Sequence, residues 1–562
     1  MPDSRAGRKS LWMRCLPLAG AVCALLWPGV AAGAETAGSQ RRVRDTAVSV
    51  RAMPNGWVSN IAMPVKIDAA SRSGGTLRLV FTGGGKRQIR TVQLAPGKPA
   101  RIELPLYSGT NGRVEWSLGD ESGYEAVGWP YGFDGVLPPI IAVNAFILRD
   151  LEAVEQRSRE RRTLASLPVQ ELPSDWQSYA GLNSVIAMDA DDAGRLTPAQ
   201  CQALAQWIKW FGGVLWLGGD GGERALARLG LPLSLATVID RPFGKEATYL
   251  NGVVRLAEIP NASVIYLDGA APRELFNPRW IGYGADLLES LGEIPVSFIV
   301  LSLVLLGLFL GPVTYWIVRQ KKNPLLFFFI VPAAALFGTA CIVGGAFFLE
   351  GVGGEYNQIA VLARHAGGNS SMFFDMRGVR PGFVVPEVKF GADAMALPFS
   401  DNRDEKTIDT TDGVRLVAGW LRPRFATGYL TLRPVVSRMN VEVHPDGDGY
   451  KAVNNLGYRV QKMAAFLPDG TLGWAENIPA GGSVPFETER GTRRYEELCR
   501  QLDVLNEQTP PVANVLLVAQ ADGLPYADDG GLGGALREGK FFYVLAGNRE
   551  LLDEKRGADN GQ

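Results

Sequence analysis

Carboxylates supply the most visible chemistry in this chain. Asp189-Ala190-Asp191-Asp192 stands directly after the apolar run 183–188, and Asp220 follows the run 214–217, with Glu223 close behind. If both runs are strands of one parallel sheet, these acids meet at the carboxyl ends of strands, where α/β sheets bind ligands. Oxygen ligands grouped in this way suit a hard cation such as Mg2+ or Ca2+. Asp189, Asp191, Asp192 and Asp220 are therefore a candidate cation site. The same positions also suit a solvated loop entering a helix, because acids are favoured in a first helical turn. Both readings stand at this level.

Nucleophilic chemistry is poorly supplied. Region 137–293 holds no histidine, and the chain's two, His365 and His444, lie far downstream. Cys201 shares an apolar helical face with Leu204, Trp207, Ile208 and Phe211, which marks it as a buried structural thiol. By composition, a Cys-His or Ser-His-Asp site within this region is excluded. Gly218-Gly219-Asp220-Gly221-Gly222 lacks the Gly-Lys-Ser/Thr ending of a phosphate loop. Asp446-Gly447-Asp448-Gly449 lacks the closing glutamate of a calcium loop and reads as a hairpin turn. No cofactor is implied.

The elements that would position these residues change character along the chain. Short alternating runs such as Thr76-Leu77-Arg78-Leu79-Val80-Phe81, broken by glycine and proline, predict an exported β-sandwich over 35–136. Gly128-Trp129-Pro130-Tyr131-Gly132-Phe133 closes it, as a plug between domains or as aromatic rings to stack on a sugar. Strand and helix then alternate over 137–293, with strands at 140–146, 183–188 and 214–217 and a helix at 148–164. Thr197-Pro198-Ala199-Gln200 starts another helix, with Thr197 as cap, Pro198 at the first position and Gln200 closing a capping box. Such βαβ repetition predicts a parallel sheet covered by helices. β character returns over 350–510, followed by an amphipathic helix through Tyr495, Leu498, Leu502 and Leu505. A strand at 512–519 and a polar tail complete the segment 511–562.

Between the halves lie two apolar runs, 294–318 and 324–349, neither with a single Asp, Glu, Lys or Arg. Each is long enough to cross roughly 30 Å of hydrocarbon as a helix, which predicts a transmembrane hairpin in the lipid bilayer. Arg5, Arg8, Lys9 and Arg14 precede an apolar stretch and Ala32-Gly33-Ala34, the pattern of a signal peptide over 1–34. An uncleaved signal anchor would give the same topology. Arg319, Lys321 and Lys322 between the spans then face the cytoplasm, and both large flanks lie in the periplasm. Gly307 and Gly311 form a small-residue face, either for packing within the hairpin or for a homodimer. With a net charge of -1 and 20% charged residues, nothing points to nucleic acid. Cys201 and Cys499, one in each half, could be stapled but form no disulfide framework.

Tyr179-Ala180-Gly181-Leu182-Asn183-Ser184-Val185-Ile186, Leu196 to Gln200, Trp207 and Gly212-Gly213-Val214-Leu215 resemble the class I glutamine amidotransferase-like fold. The closer resemblance is to its degenerate form in bacterial envelope membrane proteins. There an exported β domain and this α/β domain precede a Gly-Pro-x-x-Tyr membrane segment, here Gly311-Pro312-Val313-Thr314-Tyr315 followed by Arg319. The resemblance implies a fold and an inner-membrane address, not a reaction. An active member needs a cysteine on the turn after a strand and a histidine beside it, and no cysteine stands at 218–222. The expected fold class is multidomain α/β plus all-β: a β-sandwich, a flavodoxin-like parallel α/β domain, a two-helix transmembrane hairpin and a C-terminal β-rich domain. The expected function is a non-catalytic scaffold or accessory subunit for other envelope proteins. The alternative is a membrane-tethered, metal-dependent hydrolase of envelope glycans or peptides, using the strand-end acids.

Overall fold

A computed structural model describes most of residues 45–546. Outside the description lie 1–44, 129–137, most of 258–295, most of 490–514, 528–534, 547–562 and shorter interior breaks. The signal-peptide stretch, most of the aromatic plug and most of the amphipathic helix near 495–505 therefore fall outside it. What is described is mixed α/β and rich in sheet.

The alternation read in the first region does position its strands. In Gly75–Gly83, Leu77, Leu79 and Phe81 are buried while Thr76 and Arg78 are exposed. The strand returns through Gly84-Gly85, both at positive φ, into Lys86–Leu94. A two-residue hairpin turn of this hand requires that conformation, and glycine adopts it without steric cost. Thr46–Ala52, Met63–Ser71 and Ala100–Leu106 form a second, three-stranded sheet. Val65, Ile67 and Leu104 from it share a core with Leu79, Phe81 and Trp116.

This region does not end where the sequence changes character. Lys406–Asp409, from beyond the apolar helices, pairs in parallel with Lys86–Leu94, Thr407 opposite Arg87. Val414–Leu416 and Val388–Phe390 extend the same sheet, giving seven strands. Segments read as separate domains are thus hydrogen-bonded into one sheet.

The α/β region has five parallel strands in the order Leu164–Ser166, Ile140–Ala142, Val185–Asp189, Val214–Gly218, Gly252–Ala257, with antiparallel Gly244–Tyr249 and Thr237–Arg241 at one edge. The apolar run 140–146 is cut at Asn144, whose side chain accepts from the Ile147 amide and starts helix Ala145–Glu155. The expected helix at 148–164 therefore begins earlier and ends earlier. Helix Pro198–Phe211 carries the anticipated capping box and stops at Gly212, which is left-handed. A Cβ on Gly213 would stand 2.4 Å from the Trp207 ring, so glycine lets the helix end close over its own tryptophan.

A nine-stranded sheet is built around Glu355–His365 and Ser370–Arg380. Ala535–Ala546 lies parallel to Glu355–His365, and Val515–Ala521 lies antiparallel beside it. The segment 511–562, read as one strand and a tail, thus supplies two inner strands, the first described over Val515–Ala521, while the expected start at 512 lies outside the described residues. The largest core unites Ile186 and Leu215 of the α/β region with Met372, Met376 and Leu432 of this sheet. The body is fastened by charge as well. Lys66, buried in the first region, bonds Glu171 at 2.9 Å, and Glu103 accepts from the backbone and hydroxyl of Ser174.

The apolar helices stand apart from these cores. Val296–Leu308 continues through a π-helical turn, Phe309–Val313, into Thr314–Lys321. Pro312 has no N–H to give, and the wider turn makes room for its ring. The backbone N–H of Thr314 bonds Phe309 O, and its hydroxyl donates to the same oxygen at 2.7 Å. Leu326–Glu350 follows. Large apolar side chains lie open on both helices, Leu305 at 57% and Phe329 at 75% exposure. Among the described residues, one helix, Val300–Lys321, is long and apolar enough to cross a membrane. The two helices meet where Gly338 leaves room for Leu306, whereas a Cβ on Gly307 or Gly311 would meet nothing within 4 Å. Packing within the pair therefore uses Gly338, not the Gly307 and Gly311 face.

Candidate functional site at the strand ends

Strand order reverses between Ile140–Ala142 and Val185–Asp189, and that switch point is where parallel sheets open a crevice. Asn144 leaves the first strand there and Asp189 ends the second. Asp189 caps the short helix Ala190–Arg195, its Oδ1 accepting from the Asp192 amide at 2.7 Å. Asn144 Nδ2 donates to Asp189 Oδ2 at 2.9 Å and to Asp192 Oδ2 at 2.5 Å. Arg195 reaches Asp192 Oδ1 at 3.5 Å. Each of the four carboxylate oxygens thus accepts from a protein donor. Burial raises the Asp192 carboxyl above the ordinary range; the Asn144 bond opposes this and the neighbouring Asp189 adds to it.

The structure therefore brings Asp189 and Asp192 together, joined by Asn144. Asp191 is exposed on the short helix, and Asp220 is exposed past the end of the adjacent strand. Glu223 pairs with Lys245 at 2.7 Å. Among the described residues, no group of three or more His, Cys, Asp or Glu is placed to hold a metal ion. As arranged, the two central acids fasten helix starts to strand ends. Asn144 is the member that sequence reading missed. Its signal was an Asn just ahead of a charge-rich helical stretch, hidden because the apolar run seemed to continue through it.

Cys201 is a buried free thiol, raised by burial and drawn back by Arg228. Although 137–293 contains no histidine, the chain's return places His365, at the end of Glu355–His365, beside Lys209 and the Leu235 backbone. Its Nδ1 lies 2.7 Å from Ala366 O, and the residue is buried. Burial, with Lys209 adding to it, lowers the imidazole to about 4.

A pH test follows from His365. Its folded value of about 4 lies below its ordinary 6.5, so the unfolded chain takes up the proton first as pH falls. This contribution is intact above pH 6.5 and is lost between there and about pH 4, up to about 3 kcal/mol. Asp175, raised by burial to about 6, runs the other way and favours the fold as it protonates. Urea midpoints from pH 7 to 4 should therefore fall less steeply in His365→Gln than in the wild type. Parallel curves would show that His365 is not the titrating group.

No protein-family profile matches the chain, and no curated protein does. Among solved structures it is similar to a yeast delta-COP-I mu-homology domain in complex with a Dsl1 WxWxV peptide. That likeness has 10% identity over 34% of this chain and 94% of that one, with a TM-score of 0.17. It is also similar to the exo-chitosanase CsxA of Amycolatopsis orientalis, at 9% identity over 89% of this chain and 64% of that one, TM-score 0.16. At such scores neither likeness bears on fold or function.

Proposed function

We propose that this chain is a non-catalytic, membrane-anchored scaffold or accessory subunit of the bacterial envelope. A two-helix hairpin would hold one extramembrane body on the periplasmic face of the inner membrane. The observation that carries this reading is sheet continuity across the hairpin. Lys86–Leu94 precedes the apolar helices, Lys406–Asp409 follows them, and the two are hydrogen-bonded neighbours. Strands of one sheet occupy one compartment, because an open sheet edge does not pass through hydrocarbon. If Val300–Lys321 crosses the bilayer, Leu326–Glu350 must cross back.

Three further observations support the reading. Arg319, Lys321 and Lys322 at the turn favour a cytoplasmic turn. The parallel strand order is that of flavodoxin-like sheets, and Gly218 to Gly222 carry no nucleophile, as a pseudo-amidotransferase domain would have it. Of the strand-end acids, Asp189 already serves as a helix cap, and Asp192 is held by Asn144 and Arg195. Other envelope proteins are the expected partners, and the open Gly307 and Gly311 face is left for lipid or a second copy.

Alkaline phosphatase, active only outside the cytoplasm, tests the layout. Fusions after Glu293 and after Gly351 should be active and a fusion after Lys322 inactive. Inactivity at Gly351 would overturn the hairpin.

A further inference from the structure

Both apolar helices leave the body at one end of the nine-stranded sheet. Helix Leu326–Glu350 stops five residues before Glu355 opens its strand, and five residues span at most about 17 Å. The chain ahead of Val296–Leu308 is pinned to the same end. Asn357 Nδ2 donates to the Leu287 carbonyl oxygen at 2.9 Å. A Cβ on Gly378, opposite Asn357, would stand 2.7 Å from that same oxygen, so glycine admits the close approach. Leu291, bonded back to Leu288 O, is then five residues from Val296. Two short tethers therefore hold one end of the sheet against whatever surface the helices enter.

Register identifies the residues on this end. Glu355 lies opposite Arg380 on one side and Ala535 on the other, and Val379 lies opposite Thr427. The four strands make a rim three strand spacings wide, about 14 Å. Two large apolar side chains stand open on it. Phe425, two residues ahead of Thr427, is 64% exposed, and Leu536, next to Ala535, is 43% exposed. Each has an arginine close by. The Phe425 N–H bonds the carbonyl of the exposed Arg422 at 3.2 Å, and the exposed Arg537 follows Leu536. Arg380 is half-buried, and Glu355 pairs with Arg537 at 3.5 Å. Among these rim residues the arginines thus outnumber the acid.

Single exposed apolar side chains are ordinary on any protein surface. Here they coincide with arginines and with the tethered end. Apolar side chains of an interfacial segment enter the boundary between headgroups and acyl chains. Arginine keeps its charge at any working pH, and its planar fork takes phosphate oxygens in pairs. Room also decides the occupant. Of the 17 Å or so that the tether allows, the headgroup layer takes roughly 5–7 Å. The remainder is about one helix diameter at most, so a folded partner has no place between rim and lipid.

We propose that this rim docks on the periplasmic surface of the bilayer, with Phe425 and Leu536 seated among anionic phospholipids and Arg380, Arg422 and Arg537 on their phosphates. Such docking rests on the hairpin reading, since only helices that cross bring the rim to lipid. It turns the opposite strand ends, at His365, Ser370 and Val436, away from the membrane.

A photoreactive benzophenone amino acid tests this, placed in turn at Phe425, Leu536, Val436 and Phe337 of the full chain. All four side chains are exposed, so the probe enters no core. The protein is held in nanodiscs of phosphatidylglycerol and phosphatidylcholine, and adducts are read by mass spectrometry. Phospholipid adducts are expected at Phe425, at Leu536 and at Phe337 within the second helix, and none at Val436. Arg422→Glu together with Arg537→Glu should lower the Phe425 adduct about tenfold and leave the Phe337 adduct unchanged. With lipid found at Phe337, its absence from both Phe425 and Leu536 would overturn the docking and leave the hairpin standing. An equal adduct at Val436, or adducts to a second copy in place of lipid, would overturn it too. Loss of the Phe337 adduct would instead remove the hairpin, and the docking with it.

Discussion

A chain ended at Gly534 is expected to lose its extramembrane fold altogether, not merely a tail. The strand removed, Ala535–Ala546, hydrogen-bonds on one side to Glu355–His365 and on the other to Val515–Ala521. Its loss splits the nine-stranded sheet near the middle. Phe542 and Tyr543 are fully buried, and Phe541 and Val544 nearly so. Emptying one such aromatic site costs about 3–5 kcal/mol. Together these sites amount to as much as the roughly 5–15 kcal/mol that holds a typical domain folded. The damage should travel, because the core shared by Met372 and Ile186 ties this sheet to the α/β region. Limited proteolysis in native membranes checks this. The wild type should leave a resistant body, and the truncated chain should be cut throughout. A truncated chain as resistant as the wild type would show the strand to be dispensable. Phe542→Ala supplies the graded version, with a loss of about 3–5 kcal/mol in urea titration.

The same strand shows where sequence reading stops. Its first half, Ala535-Leu536-Arg537-Glu538-Gly539-Lys540, is charged and carries a glycine, so it lacks both the continuous apolar run and the clean alternation that mark a strand. What makes it a strand is the pair of neighbours waiting for it, and those lie about 180 residues away on one side. Local signals fared well by contrast. The capping box at Thr197 and Gln200 and the glycine stop at Gly212 rest on residues within a turn of each other, and the structure holds both. The candidate acids were legible in position but not in use. Asp189 does end a strand, yet its oxygens are engaged by Asn144 and the Asp192 amide, and Asn144 comes from another strand end. His365 is the same lesson in reverse, since composition counts residues in a segment while folding chooses their neighbours.

Replacing Arg377 by methionine should cost about 3–5 kcal/mol, the price of leaving a buried charge alone. Asp375 and Arg377 sit two residues apart on Ser370–Arg380 with side chains only 2% and 3% exposed, joined at 2.7 Å. Burial pushes the Asp375 carboxyl upward, and Arg377 and Gln358 hold it back, Gln358 at 2.8 Å. Gln358 and Arg377 also both bond the Ala527 carbonyl, and Arg433 bonds the Tyr526 carbonyl at 2.9 Å. Tyr526 is held at φ 76, a left-handed conformation that a tyrosine keeps only when its surroundings impose it. These cations thus clamp the segment before the 528–534 gap onto the sheet. In Arg377→Met, Asp375 keeps the Gln358 hydrogen bond and the field of Arg433, and the clamp loses the arginine that joins Asp375 to the Ala527 carbonyl. Asp375→Asn together with Arg377→Met removes both charges and should recover most of the loss, since a buried pair contributes little net stability over a neutral replacement. A double-mutant cycle by urea unfolding measures the coupling. The wild type should also lead Arg377→Met by less as pH falls, because protonation neutralises the stranded carboxyl in the variant. A double variant no more stable than Arg377→Met, with a gap independent of pH, would mean that the arginine acts through packing alone.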